Sequence, residues 1–210
     1  MELRPAYYAA ARGGIRDWWT LLHPPYTAWN LGYVVLGACL APHVRLDRLI
    51  ASVFGFFLAV GIGAHALDEL HGRPLRTRIP SWALVTAAAV STAGAVGLGL
   101  AGAVRVGWTL VPFLVVGPIL VVAYNAELFG GVLHNDWGFA VSWGAFPVLT
   151  AYVAQAQSLS AAAILAAAAT TAFSLAQRAL STPARHLRRR VTEVEGAMST
   201  ADGAATAIDR

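Results

Sequence analysis

Two stretches of this chain gather the residues that can move protons, hold metals or grip anions. The first, GAHALDELHGRPLRTR from Gly63 to Arg78, offers His65, Asp68, Glu69, His71 and Arg73. The second offers Tyr124, Asn125, Glu127, His134 and Asp136. His65, Asp68 and Glu69 stand at i, i+3 and i+4, which places them on one face of a helix. Imidazole with carboxylate suits zinc, iron or manganese, whereas carboxylates alone suit Mg²⁺ carrying a phosphate. Arginine beside such a site is a phosphate clamp, because its fork can bind two oxygens at once. His65, Asp68, His71, Glu127, His134 and Asp136 are therefore the candidate metal ligands. No HExxH, paired CxxC or Walker-type glycine loop narrows the chemistry. His43 and His186 read as ordinary surface histidines, and His23, ahead of two prolines, as the end of an interfacial segment.

These groups must be carried by a membrane protein. The chain has 210 residues, 57% of them hydrophobic and only 12% charged, with a mean hydropathy of +0.58. A soluble domain carries about 25% charged residues. Several apolar runs reach the ~20 residues that a helix needs to cross the hydrocarbon core. The expected fold is all-α, a polytopic membrane helix bundle.

The net charge of +4 arises with no lysine in the chain, which excludes a Schiff-base lysine. Arginine in such a protein sets topology and anionic-lipid contact rather than nucleic-acid binding. Cys39, the single cysteine, excludes an intrachain disulfide and reads as a small buried apolar residue.

Six spans follow from the apolar runs, at about 26–42, 48–67, 81–103, 107–124, 138–156 and 159–180. The polar stretches fall at the ends of the second and fourth. Residues 1–22 lack a continuous apolar core and read as an amphipathic arm on the membrane surface, with Trp18 and Trp19 at headgroup level. Residues 23–180 form the membrane domain. Residues 181–210, Arg-rich and then low in complexity, are expected to be a largely disordered basic tail. Six spans put both termini on one side of a cell membrane. With that side cytoplasmic, twelve of the fifteen arginines lie inside and Arg45, Arg48 and Arg105 outside, as the positive-inside rule requires. Both polar stretches then share the cytoplasmic face.

The order of these elements resembles the front part of the UbiA superfamily of intramembrane prenyltransferases. His23-Pro24-Pro25-Tyr26-Thr27, followed by Leu31 to Gly37, is similar to the family's opening segment. Ala64 to Gly72, followed by Arg73-Pro74-Leu75, resembles its first aspartate-rich motif, NDxxDxxxD. Tyr124 stands where the family begins its YxxxK loop, and Trp137 to Tyr152, with Gly144 and Pro147, looks like the next helix. The resemblance covers about residues 20–155. Of the first motif only Asp68 is kept, since Ala64, His65 and Gly72 occupy its other polar positions. Leu128 replaces the YxxxK lysine. A second aspartate motif should fall near 181–200, where this chain reads STPARHLRRRVTEVEGAMST without DxxxD. The family fold also has nine membrane helices.

The resemblance implies transfer from an isoprenoid diphosphate to a membrane-embedded acceptor. Asp68, Glu69 and Tyr124 would be catalytic, and Mg²⁺ would be held with Glu127 or Asp136. Arg73, Asn125, His23 and Asn30 would bind substrate. Two other readings stay open. One is a zinc or iron enzyme acting on a lipid through His65, Asp68, His71, Glu127 and His134. The other is a non-catalytic isoprenoid-binding protein or subunit. The shortened bundle leaves room for a second copy, as a homodimer.

Overall fold

The computed structural model describes residues 6–209, without the side chains of residues 189 and 209. The first five positions of the arm, Arg4 among them, and position 210 lie outside the described residues. Six main helices follow a short surface helix, α1 (Ile15–Leu21). They are α2 (Pro24–Cys39), α3 (Leu46–Leu70), α4 (Ser81–Val106), α5 (Trp108–Asn125), α6 (Asp136–Ala156) and α7 (Ala161–Arg190). Five of them, α3 to α7, are long and apolar enough to cross a membrane. The chain is a multi-pass membrane protein built as a helix bundle. α2, with 16 residues, spans only about 24 Å at 1.5 Å per residue.

Side chains at the helix starts stop the chain locally. Asn135 accepts from the Gly138 amide at 2.9 Å and Ser160 from the Ala163 amide at 3.2 Å, each meeting a donor that the first turn leaves unpaired. The bundle is apolar outside and small or polar inside. Phe54, Val90, Leu100, Ile119, Leu165 and Phe173 are exposed, while Ser91, Ser142, Thr170 and Ser174 are buried. Lipid solvates the first set as well as a protein core would, so close packing and hydrogen bonds hold the helices together. The most enclosed span is α6, with half of its apolar window buried against 17% for α4.

Pairing sets direction. Asn30 meets Trp143, Val34 and Ala38 meet Ala151, and Ala41 meets Tyr152, so α2 runs parallel to α6. A Cβ on Gly37 would collide with the Val148 carbonyl, so glycine there is what permits the approach. α7 returns antiparallel, with Thr170 donating to Gly144 O and Arg178 reaching Asp136. Around the other side α3, α4 and α5 alternate. At the far end, Arg48 donates to the carbonyls of Ala154 and Gln155, and Gln155 bonds both backbone groups of Arg45. The loops at 71–80 and 126–135 and the second half of α7 therefore gather at the opposite end.

The first expected span, 26–42, is the 16-residue α2, too short to count among the membrane-crossing helices, and Cys39 at its end is exposed rather than buried. Two further departures from the sequence reading concern regularity. The sixth span does not stop near 180: α7 continues to Arg190, because helical geometry outlasts the fall in hydropathy. The expected disordered tail also carries an antiparallel hairpin, β1 (Glu195–Ser199) with β2 (Ala205–Asp209). Its turn places Gly203 at φ 88°, and Asp202 accepts from Thr200 and the Ala204 amide.

Candidate functional site

Two π-helical segments shape the end where the loops gather. Phe57–Ala64 lies within α3 and Val141–Ala145 within α6. Such widened turns are common at functional sites, because they redirect side chains and loosen carbonyls from the helix ladder. Here α2 and α7 take up the carbonyls of α6. Asn30 Nδ2 donates to Trp143 O at 3.0 Å and Thr170 Oγ1 to Gly144 O at 3.0 Å.

Between α2, α3, α5, α6 and α7 lies a cavity of about 480 Å³. Its apolar floor is the packed group Val60, Ala64, Tyr124 and Trp143. Seven residues singled out from sequence line it: His23, Asn30, His65, Asp68, Tyr124, Asn125 and His134. Tyr124 stacks on His134 at 4.6 Å between ring centres and meets Trp143 edge-on at 5.7 Å. His23 stacks on His65 at 5.0 Å. The backbone at His23 is left-handed, with φ 49°, at a cost of about 1–2 kcal/mol for a residue with a Cβ. Such strain collects at functional sites. Tyr8 Oη bonds His23 Nδ1 and ties the arm to the cavity rim.

Carbonyl partners settle the tautomers of two histidines. His65 Nδ1 lies 3.1 Å from Gly61 O, and His134 Nδ1 lies 3.0 Å from Tyr124 O. A carbonyl only accepts, so each Nδ1 donates and each neutral ring keeps Nε2 as an acceptor. Asn30 is similarly fixed. Its amide nitrogen faces Trp143 O, and its buried Oδ1 has no hydrogen-bond partner. An unpaired buried carbonyl of this kind costs about 1–3 kcal/mol, which a ligand's N–H or O–H would recover.

Five predicted site residues lie elsewhere. Glu69 is fully buried and accepts from the Leu75 amide at 2.9 Å and from the amide and hydroxyl of Thr77, each at 2.8 Å. It shapes the 71–80 turn and is not available for catalysis. Arg73 spends its guanidinium on Ile79 O at 2.6 Å and Ser81 Oγ at 2.8 Å, again holding the turn. His71 and Glu127 pair at 3.6 Å outside the lining, with His134 Nε2 3.9 Å from the same carboxylate. Asp136 pairs with Arg178 at 2.8 Å. Among the described residues no three His, Cys, Asp or Glu side chains come together in a metal-holding group.

Sequence reading missed the basic wall. Arg178, Thr182, Arg185, His186 and Arg190 of α7 all line the cavity. Their spacing of roughly four residues marks one helix face, a signal obscured by ending the span at 180. His186, read as a surface residue, belongs to this wall. Arg178 also lies 5.1 Å over the Phe139 ring. Asp17 was likewise missed. It is buried and accepts from the Gly13 and Arg78 amides, joining the arm to the 71–80 turn.

A second cavity, of about 270 Å³, lies between α3, α4, α5 and α6. It is lined mainly by apolar residues such as Phe56, Val96, Phe113, Leu114 and Phe146, and it shares Val60 and Trp143 with the floor of the first. Along α3 its lining runs from Arg48 to Val60, about 18 Å of helix. A polar, arginine-walled chamber thus adjoins an apolar one that extends over part of the hydrocarbon thickness. Comparison with family models, curated proteins and solved structures finds no match to this chain.

Proposed function

We propose that this chain is a membrane-embedded transferase for an isoprenoid diphosphate, similar in plan to the UbiA prenyltransferases, with the cavity end and both termini at the cytoplasmic face. The observation that carries this reading is the shared wall at Val60 and Trp143. An amphiphile with an anionic head and a long apolar tail matches a basic chamber opening onto an apolar cleft, and the volume of the basic chamber, about 480 Å³, falls within the usual range for ligand sites. The excess of arginine at the same end agrees with a cytoplasmic orientation.

The Mg²⁺ that the resemblance implies does not fit these residues. Asp68 is the one carboxylate among the described lining residues, Glu69 is committed to the 71–80 turn, and Mg²⁺ favours near-octahedral oxygen ligation. The zinc or iron reading fails the same test, since His71 and Glu127 lie outside the lining.

The chain's own groups divide the work of transfer. The bond between the terminal isoprenoid carbon and the diphosphate oxygen breaks, and its electron pair leaves with the diphosphate toward the arginine wall. The aromatic faces of Trp29, Tyr124, Phe139 and Trp143 stabilise positive charge growing on that carbon. A nucleophilic atom of the acceptor forms the new bond, and its proton passes to His65 Nε2, whose Nδ1–H is held by Gly61. Asp68 offsets part of the arginine charge.

Release of diphosphate from geranylgeranyl diphosphate by the purified protein, with membrane lipid extract as acceptor source, tests the reading. Release that falls in His65→Gln and Tyr124→Leu is expected. Tight binding with no release from any extract would instead make the chain an isoprenoid carrier, and absence of both would end the proposal.

A further inference from the structure

The basic wall answers a question left by the missing acidic motifs. We propose that the diphosphate head is neutralised directly by the guanidinium groups of Arg178, Arg185 and Arg190, with no bridging divalent cation. This rests on the isoprenoid-diphosphate reading above.

Three observations support it. First, the charges are of the wrong sign to hold a cation: three arginines, one of them paired with Asp136, face the single carboxylate of the described lining, Asp68. A metal-bridged site needs carboxylates on the protein and phosphate on the ligand, whereas arginine binds phosphate oxygens itself, in pairs and while permanently charged. Second, the guanidinium groups keep donors to spare. Arg178 gives Nε–H and one Nη2–H to Asp136 Oδ1, leaving three of its five N–H donors. Arg185 gives one to Thr182 at 3.1 Å. Third, the wall occupies the stretch where the resemblance expects a second acidic motif, near 181–200. Carboxylates that would reach the head only through metal are replaced there by groups that reach it without one.

Position along α7 favours the head over the tail. Arg178, Arg185 and Arg190 lie toward the end of the helix past its apolar part, while the residues shared with the apolar cleft sit on α3 and α6. A lipid with its tail in the cleft therefore brings its phosphates to this wall.

Equilibrium binding of geranylgeranyl S-thiolodiphosphate, whose C–S bond resists cleavage, decides the matter in detergent with either EDTA or MgCl2. Equal affinity in the two buffers is expected, with displacement by inorganic pyrophosphate in EDTA. Arg185→Gln should weaken binding about tenfold, as loss of one charge-assisted contact implies, and Arg185→Lys should recover part of that loss. Arg190→Gln serves as a second variant, since Arg178→Gln also breaks the Asp136 pair and can disturb folding. Binding that requires Mg²⁺ would overturn the inference while leaving the transferase reading intact. No binding by the wild-type protein in either buffer would overturn both. Displacement by dioleoyl phosphatidic acid as effective as by the analogue would overturn the assignment of a diphosphate head.

Discussion

Asp68 and Glu69 are neighbours in one turn of α3, yet they belong to two different regions. Asp68 faces the arginine-walled cavity. Glu69, turned about 100° around the helix, is sealed beneath the 71–80 turn with its oxygens taken by Leu75 and Thr77. The turn is a closed account of hydrogen bonds: Glu69, Arg73 and Asp17 all end on backbone groups or on Thr77 and Ser81. The cavity is an open one, in which Asn30 Oδ1 lacks a partner and His65 Nε2 remains an acceptor. Adjacent carboxylates thus have different settings: Glu69 is sealed beneath a turn whose amides it accepts from, and Asp68 lies on a cavity wall.

The comparison can be broken by exchanging the effects of the two regions. The largest expected effect is on the closed side. Glu69→Ala leaves the Leu75 and Thr77 amides buried without acceptors, at roughly 1–3 kcal/mol each, and should lower the thermal midpoint in detergent by many degrees. An unchanged midpoint would place Glu69 back among the catalytic candidates. On the open side, His65→Gln removes the Nε2 acceptor while an amide can still donate to Gly61. Diphosphate release should fall by about 100-fold or more, with little change in thermal midpoint. Equal losses of stability in the two variants would erase the contrast.

Packing provides the next effect. Gly37→Ala drives a Cβ into the Val148 carbonyl where α2 lies along α6 and should cost about 1–3 kcal/mol, read by denaturant or thermal unfolding. The apolar cleft sharpens the ligand assignment. Ala59 lines it on α3, and Ala59→Phe should weaken binding of a geranylgeranyl chain more than of a geranyl chain. Equal weakening would mean that the tail lies elsewhere.

The smallest effect concerns the hairpin, outside both regions. Hydrogen bonds from Thr200 and the Ala204 amide hold the Asp202 carboxyl below its usual range. Its folded pKa is depressed, so its contribution is present above the unfolded value and fades as pH falls through the folded one. Exchange of the Ala204 amide should quicken only in that acidic window, and Asp202→Asn should flatten the dependence.

Composition and hydropathy were enough to determine an all-α, multi-pass chain, because burying the backbone in lipid leaves few other solutions. The run lengths located the starts of six helices to within a few residues, five of them long and apolar enough to cross a membrane, and alternation of those helices put the two polar stretches at one end. Spacing placed His65, Asp68 and Glu69 on one helix face, since helix periodicity is local, but it could not tell that Glu69 turns away. Only the tertiary structure decided which polar groups are already spent. Glu69 and Arg73 are consumed by a turn whose backbone path no spacing encodes, and Asp136 by an arginine forty-two residues away. It also carried α7 past its apolar length and brought Arg178, Arg185 and Arg190 over the cavity. Hydropathy records where lipid ends. Where a helix ends, and what its last turns face, depends on the partners packed beside it.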